Sequence, residues 1–354
     1  MTDSSPNLIR ALLLIGALFL VVIGVVGGGV GLLVGVLGPA DRLMPMVIIS
    51  LSFLALAGGL GAAMAWQLWQ ALQGRESRPF QPKGIGALVL ILIAALVVGQ
   101  LVLAFDLLPG WTFPPLYLAA ALLPPWIILS LVGRRLGPPT RWRDVVFQLS
   151  SGALLSTSLA FVVELAALLT VSFLMFSAVA VRPGGAELLQ ALAQVLQRSA
   201  WLEDPDRLIS LVRMPVVVAT ALFLVVGVVP VVEEALKTIG TALWIHRRPG
   251  MSEAFMWGVC NGAGFAMAEG LFNSVNALPV WTPVAVLRIG AALMHCFTGG
   301  ITALAWHSGV VRRRWGRAAG LYLASVGLHG LWNAVAVAMT LFSLSMGGAG
   351  GVTQ

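Results

Sequence analysis

The sequence predicts an all-α, polytopic transmembrane helix bundle of about nine spans. The 354-residue chain is 59% hydrophobic and only 10% charged, with a mean hydropathy of +0.95. A water-soluble domain carries roughly a quarter charged residues, so that class is excluded. The 40 glycines and 19 prolines sit inside apolar runs, which excludes disorder and a collagen-like repeat. The runs themselves have the length, about 20 residues, that a spanning helix needs. Two cysteines cannot staple a disulfide framework.

Nine stretches meet the length criterion: 8–38, 45–72, 84–108, 115–133, 148–181, 215–245, 254–275, 283–310 and 318–346. The first far outruns the roughly 7–15-residue apolar core of a cleavable signal, and no small-residue cleavage site closes it. Its Gly27, Gly31 and Gly35 form a four-residue stripe that suits close helix packing. These spans divide into accessory N-terminal helices over 1–183, a core over 215–346, and a tail at 347–354. Between them, 184–214 is the sizeable extramembrane segment. Leu188, Leu189, Leu192, Val195 and Leu196 give it one apolar face, so it is expected to lie on the outer membrane surface. The Asp204-Pro205-Asp206 break then restarts a short helix with Asp206 as its cap.

Loop charge sets an expected orientation. The loops after the second, fourth, sixth and eighth spans hold Arg75, Arg78 and Lys83, then Arg134, Arg135, Arg141 and Arg143, then Arg247 and Arg248, then Arg312, Arg313, Arg314 and Arg317. That is most of the chain's 21 Lys and Arg. The positive-inside rule puts the N-terminus in the cytoplasm and the C-terminus outside. Anionic membrane lipid is a sufficient partner for the net charge of +7, and no basic face interleaved with aromatics points to nucleic acid.

Ionisable residues inside a span cost several kcal/mol on the harsher scales and are functional candidates by default. The first five spans offer little: Glu164 near the middle of the fifth and Asp106 toward the outer end of the third. The last four offer Glu233, Glu234, Lys237, Glu269, Arg288, His295, His307 and His329. Helical spacing puts these on single faces: Glu233 with Lys237, Phe265 with Glu269, Arg288 with His295, and His329 with Asn333. At 1.5 Å per residue from the arginine-bearing ends, Glu233 lies about 18 Å deep, Glu269 and His295 about 22 Å, and His329 about 16 Å. Four helices of alternating direction thus place acids and imidazoles in one slab, which predicts a C-terminal four-helix core around one shared site.

Two imidazoles and up to three carboxylates suit zinc, whose catalytic sites keep three protein ligands and a water. The ion, three ionised glutamates and a protonated Lys237 sum to zero charge, as a low-dielectric site requires. Lys237 and Arg288 therefore read as charge balance. His307, near Arg312, reads as interfacial and incidental, and His246 beside Arg247 as solvated.

The four motifs, Glu233-Glu234-Ala-Leu-Lys237, Phe265-Ala-Met-Ala-Glu269, Arg288 with His295, and His329-Gly-Leu-Trp-Asn333, resemble the PrsW-like intramembrane protease family. That family is related to the CAAX prenyl endopeptidases and the bacteriocin-immunity membrane proteins. The resemblance covers about 215–340, and the first five spans resemble nothing nameable. It implies peptide-bond hydrolysis in or beside the membrane, acting on membrane-anchored protein or peptide substrates. Glu233 or Glu234 would activate the water, with Glu269, His295 and His329 as metal ligands or water-orienting groups. Asn333 would steady the oxyanion. Asn333 stands where the PrsW type ends in Asp, as in the prenyl-protease branch, whereas Glu269 keeps the PrsW choice. Metallo- and glutamic-type mechanisms both stay open. So do two other classes, an ion- or proton-coupled transporter using the Glu/Lys/His cluster and a non-catalytic immunity-type protein of the same fold. The sequence names neither the substrate nor the oligomeric state.

Overall fold

The computed structural model describes residues 5–136, 140–196, 215–273 and 281–349. These are helical almost throughout, with one isolated antiparallel bridge between Pro79 and Arg141. In chain order the helices are α1 (Ser5–Leu37), α2 (Ala40–Leu72), α3 (Ile85–Ala104), α4 (Pro109–Leu136), α5 (Trp142–Ala180), α6 (Gly185–Leu196), α7 (Pro215–Arg247), α8 (Met251–Asn273), α9 (Trp281–Val311) and α10 (Trp315–Ala349).

Eight helices among the described residues are long and apolar enough to cross a membrane: α1 to α5, α7, α9 and α10. The seventh expected stretch, 254–275, is the helix α8, but it falls outside that set. Its length suffices; its composition does not, because Glu253, Asn261 and Glu269 interrupt the apolar run. Protein takes the place of lipid around it, and nearly every residue from Ala254 to Leu271 is buried. A helix solvated by protein can afford polar groups that a lipid-facing one cannot.

The expected surface segment begins as the helix α6, Gly185–Leu196. Its Asp204-Pro205-Asp206 break lies outside the described residues, as does most of the 347–354 tail.

The chain divides into two compact units, residues 1–158 with 234–325, and residues 159–233 with 326–354. The division falls within α5, α7 and α10.

In the first unit the buried core gathers on α4, α8 and the start of α9. Phe113 and Tyr117 of α4 meet Trp281, with ring centroids 4.9 and 5.8 Å apart. The Tyr117 hydroxyl reaches the carbonyls of Gly270 and Leu271, at 3.0 and 2.9 Å, near the end of α8. Those carbonyls fall in the last turn, where the helix cannot satisfy its own acceptors. On the other side of this unit α1 packs on α2 through the glycine stripe. A Cβ at Gly31 would meet Ser50 Oγ at 2.6 Å, and one at Gly35 would meet Met46 Cβ at 2.8 Å. The closest approach is at Gly24, not one of the three expected positions, where a Cβ would lie 2.2 Å from the Gly58 nitrogen. The missing Cβ of Gly24 lets the backbones come that near.

In the second unit α5 from Leu159 onward presents mainly exposed apolar side chains, with Ala160 the buried exception. That is the surface a bilayer solvates. The α7 half of this unit contains a wide turn at Phe223–Val228, which interrupts regular hydrogen bonding along the helix.

Candidate active site

Adjacent residues on a helix point about 100° apart, so Glu233 and Glu234 meet different surroundings. Glu234, in the first unit, is completely buried and pairs with the equally buried Lys237 three residues on. Thr298 of α9 donates its hydroxyl to the same carboxylate oxygen at 2.9 Å, and Thr302 to the other at 3.3 Å. The Lys237 ammonium also lies 3.4 Å from Thr298 Oγ1 and 5.3 Å from the Phe265 ring centroid. A buried ion pair survives in low dielectric only when further hydrogen bonds satisfy it, and here two threonines and an aromatic face do so.

The same unit holds a second charged cluster. Glu269 of α8 sets one carboxylate oxygen 2.9 Å from Arg288 Nη1 and the other 2.6 Å from His295 Nε2. Both partners come from α9, seven residues apart and therefore on one face. His295 is 2% exposed and its ring lies 5.3 Å from that of Phe265. The arrangement depends on how tightly α8 and α9 pack. A Cβ at Gly262 would sit 2.1 Å from the His295 carbonyl, and one at Gly258 would sit 2.2 Å from the Gly299 carbonyl.

Behind these clusters the first unit carries a polar relay with no ionised member. Asn261 Nδ2 donates to Gln148 Oε1 at 2.7 Å, to Thr241 Oγ1 at 3.1 Å and to the Trp257 carbonyl. Gln148 in turn donates to the Gly240 carbonyl, and Ser156 to that of Lys237 at 3.0 Å. Trp306 Nε1 binds Thr238 Oγ1 at 3.0 Å, where α7 breaks just after Lys237. The relay ties α5, α7 and α8 together.

In the second unit His329 of α10 faces Glu233, Nε2 to Oε2 3.7 Å, both buried. One turn further, Asn333 donates Nδ2 to the Val225 carbonyl at 2.9 Å. Val225 lies in the wide turn of α7, where the regular ladder is broken, so Asn333 supplies a donor that the helix itself does not.

The ionisable groups thus sort into three sets: Glu234 with Lys237, Glu269 with Arg288 and His295, and Glu233 with His329. One histidine differs from expectation. His307 is 2% exposed rather than interfacial; a wide turn at the end of α9 encloses it, and its carbonyl accepts the Arg312 amide at 3.1 Å. His246 is exposed as expected, its ring near the Leu243 carbonyl. Both cysteines are buried and form no disulfide. Thr298, Thr302, Gln148 and Asn261 were not singled out as site residues, although Thr298 and Thr302 follow His295 at helical spacings of three and seven. That shared face was the available signal.

Residues 140–350 match the PrsW family intramembrane metalloprotease. The match takes in more than half of the chain, which therefore belongs to that family: an intramembrane protease, integral to the membrane and multi-pass. No curated protein and no solved structure matches. The family region begins earlier than the motifs suggested and includes α5, which had resembled nothing nameable. The structure gives the reason: α5 contributes no ionised site residue, but its Gln148 and Ser156 hold α7 and α8.

Proposed function

We propose that the chain hydrolyses peptide bonds of membrane-anchored protein or peptide substrates, with Glu233 as the carboxylate that activates water. The observation that carries this is the unequal fate of the two neighbouring glutamates. Glu234 spends both oxygens on Lys237, Thr298 and Thr302, so its role is to position α7 against α9. Glu233 faces an imidazole instead, at 3.7 Å.

The donors suit zinc. A separation of 3.7 Å exceeds a hydrogen bond and is close to the ~3.4 Å between two ligands about 2.1 Å from one tetrahedral ion. Glu233 and His329, both in the second unit, would hold the ion, while in the first unit Glu269 orients His295 through Nε2, as carboxylates do behind metal-bound histidines. Once bound, zinc supplies a Lewis acid that brings the pKa of a bound water to about 7. The chain's own residues do the rest. Glu233 has two oxygens, and the second can accept the proton of the attacking water. Asn333 gives one N–H to Val225, and its other N–H can meet the developing oxyanion of the scissile carbonyl. Arg288 and Lys237 balance Glu269 and Glu234.

The experiment compares full-length protein with Glu233→Gln and Glu234→Gln variants in native membranes. New peptide termini would be catalogued by mass spectrometry, and metal content measured on purified protein. Loss of cleavage in Glu233→Gln with about one zinc per chain in the wild type supports the metal reading. Cleavage without metal would move the mechanism to the glutamic type. Identical termini in wild type and Glu233→Gln would sink the protease role of this carboxylate, and proton flux in their place would favour transport.

A further inference from the structure

A cavity of about 830 Å³ lies within the first unit, where the ends of α1, α2, α5, α7 and α8 meet. It is separate from the clusters described above. Its charged lining is Arg10, Arg141, Arg143 and Arg247 against Asp144 and Glu253. Asp144 is already engaged, 3.8 Å from Arg247 Nη1, and Arg141 lies 3.6 Å from Glu76 outside the lining. The cations therefore outnumber the acids, and an anion is the occupant that charge favours.

Three further lining groups point to hydrogen bonding with a ligand. Trp257 Nε1, Arg143 Nε and Gln67 Oε1 are buried and find no hydrogen-bond partner among the described residues. Trp257 is only 1% exposed. Native proteins rarely strand such groups, and each loses its bonds to water without return. Two are donors that need an acceptor, and one is an acceptor that needs a donor. A phosphate supplies the first, a hydroxyl the second.

Apart from Ser77 and His246, the remaining wall is apolar. Ile9 and Leu13 of α1 line the cavity while staying 58% and 38% exposed, on a helix whose surface is apolar along its length. A soluble anion has no use for such a wall, whereas an acyl chain has.

We propose that this cavity binds an anionic phospholipid whose headgroup carries a free hydroxyl, with phosphate toward Arg143 and Trp257, hydroxyl toward Gln67 and acyl chain along Ile9 and Leu13. The assignment is independent of the proteolytic chemistry.

The test is native mass spectrometry of the full-length protein titrated with dioleoyl phosphatidylglycerol, dioleoyl phosphatidic acid, dioleoyl phosphatidylcholine or glycerol phosphate. Phosphatidylglycerol should bind at least tenfold more tightly than phosphatidylcholine. Arg143→Gln should weaken it about tenfold, and Trp257→Phe, which removes only the N–H, several-fold. Gln67→Leu should weaken phosphatidylglycerol but not phosphatidic acid, and Arg313→Gln, outside the cavity, should change nothing. Equal binding of phosphatidylglycerol and phosphatidylcholine, or unaltered binding in both Trp257→Phe and Gln67→Leu, would overturn the proposal. Glycerol phosphate competing as strongly as the lipid would replace it with a soluble anion. Should Arg143→Gln fail to fold, the other two variants still decide.

Discussion

A buried ammonium beside a buried carboxylate is stable only as a pair, and this fixes what substitution at Lys237 and Glu234 should do. Lys237→Met takes the ammonium from the buried Glu234 charge and should destabilise the protein by about 3–5 kcal/mol. The double variant Glu234→Gln/Lys237→Met should recover most of that loss. Thermal unfolding of the purified variants would show it, and an additive double variant would mean the two residues do not act as a pair. Glu269 makes a different prediction, because it touches His295 directly. If His295 binds metal, Glu269→Gln should lower zinc affinity about 10- to 100-fold, the usual effect of removing a carboxylate behind a histidine ligand. Zinc titration followed by metal analysis measures this without any substrate, and unchanged affinity would remove Glu269 from the site. The candidate residues themselves were legible in the sequence, since charge within apolar runs is conspicuous and helical spacing assigns faces. Which glutamate faces which partner was not. Neighbours in a helix differ by a rotation whose outcome depends on what the opposing helix brings, here Thr298 and Thr302 for one and His329 for the other.

Between elements, the site depends on contacts made by residues without side chains. At Gly262 the backbone of α9 stands where a Cβ would be, 2.1 Å from the His295 carbonyl. Backbone cannot rotate aside, so Gly262→Ala should push α8 from α9, cost about 1–3 kcal/mol and pull Glu269 from His295. Gly320 of α10 is the control, since nothing lies within 4 Å of a Cβ there. Gly320→Ala should be neutral or slightly stabilising, as alanine favours a helix. Thermal stability would distinguish the two, and equal tolerance would deny that α8 and α9 are held by close approach. The stripe at Gly27, Gly31 and Gly35 was readable because three glycines repeat at one helical spacing. The contacts of Gly24, Gly258 and Gly262 were not, because a glycine in an apolar run looks the same whether or not another backbone lies against it.

For the whole chain, hydropathy identified the class and eight of the spans, and it faltered where protein replaces lipid as solvent. The polar residues that keep α8 out of the apolar set are the ones that build its contacts. Asn261 bonds Gln148 and Thr241, and Glu269 bonds Arg288 and His295. A hydropathy scale counts such residues as costs to insertion, whereas inside a bundle they are satisfied by neighbours. This affects topology directly. If α8 crosses the membrane with the eight apolar helices, the chain crosses nine times and its ends lie on opposite sides. If α8 does not cross, they lie on the same side. The loop arginines favour nine crossings, because Arg75, Arg134, Arg247 and Arg312 then fall on one face and meet the cytoplasmic charge preference together. Single cysteines at Gly350 and Arg314, placed in a protein lacking Cys260 and Cys296, should therefore label from opposite sides of sealed vesicles. Arg314 should be reached from the cytoplasmic face and Gly350 from the outer one. Labelling of both from one side would remove α8 from the spanning set and reverse the direction of α9 and α10 relative to the α1–α7 helices.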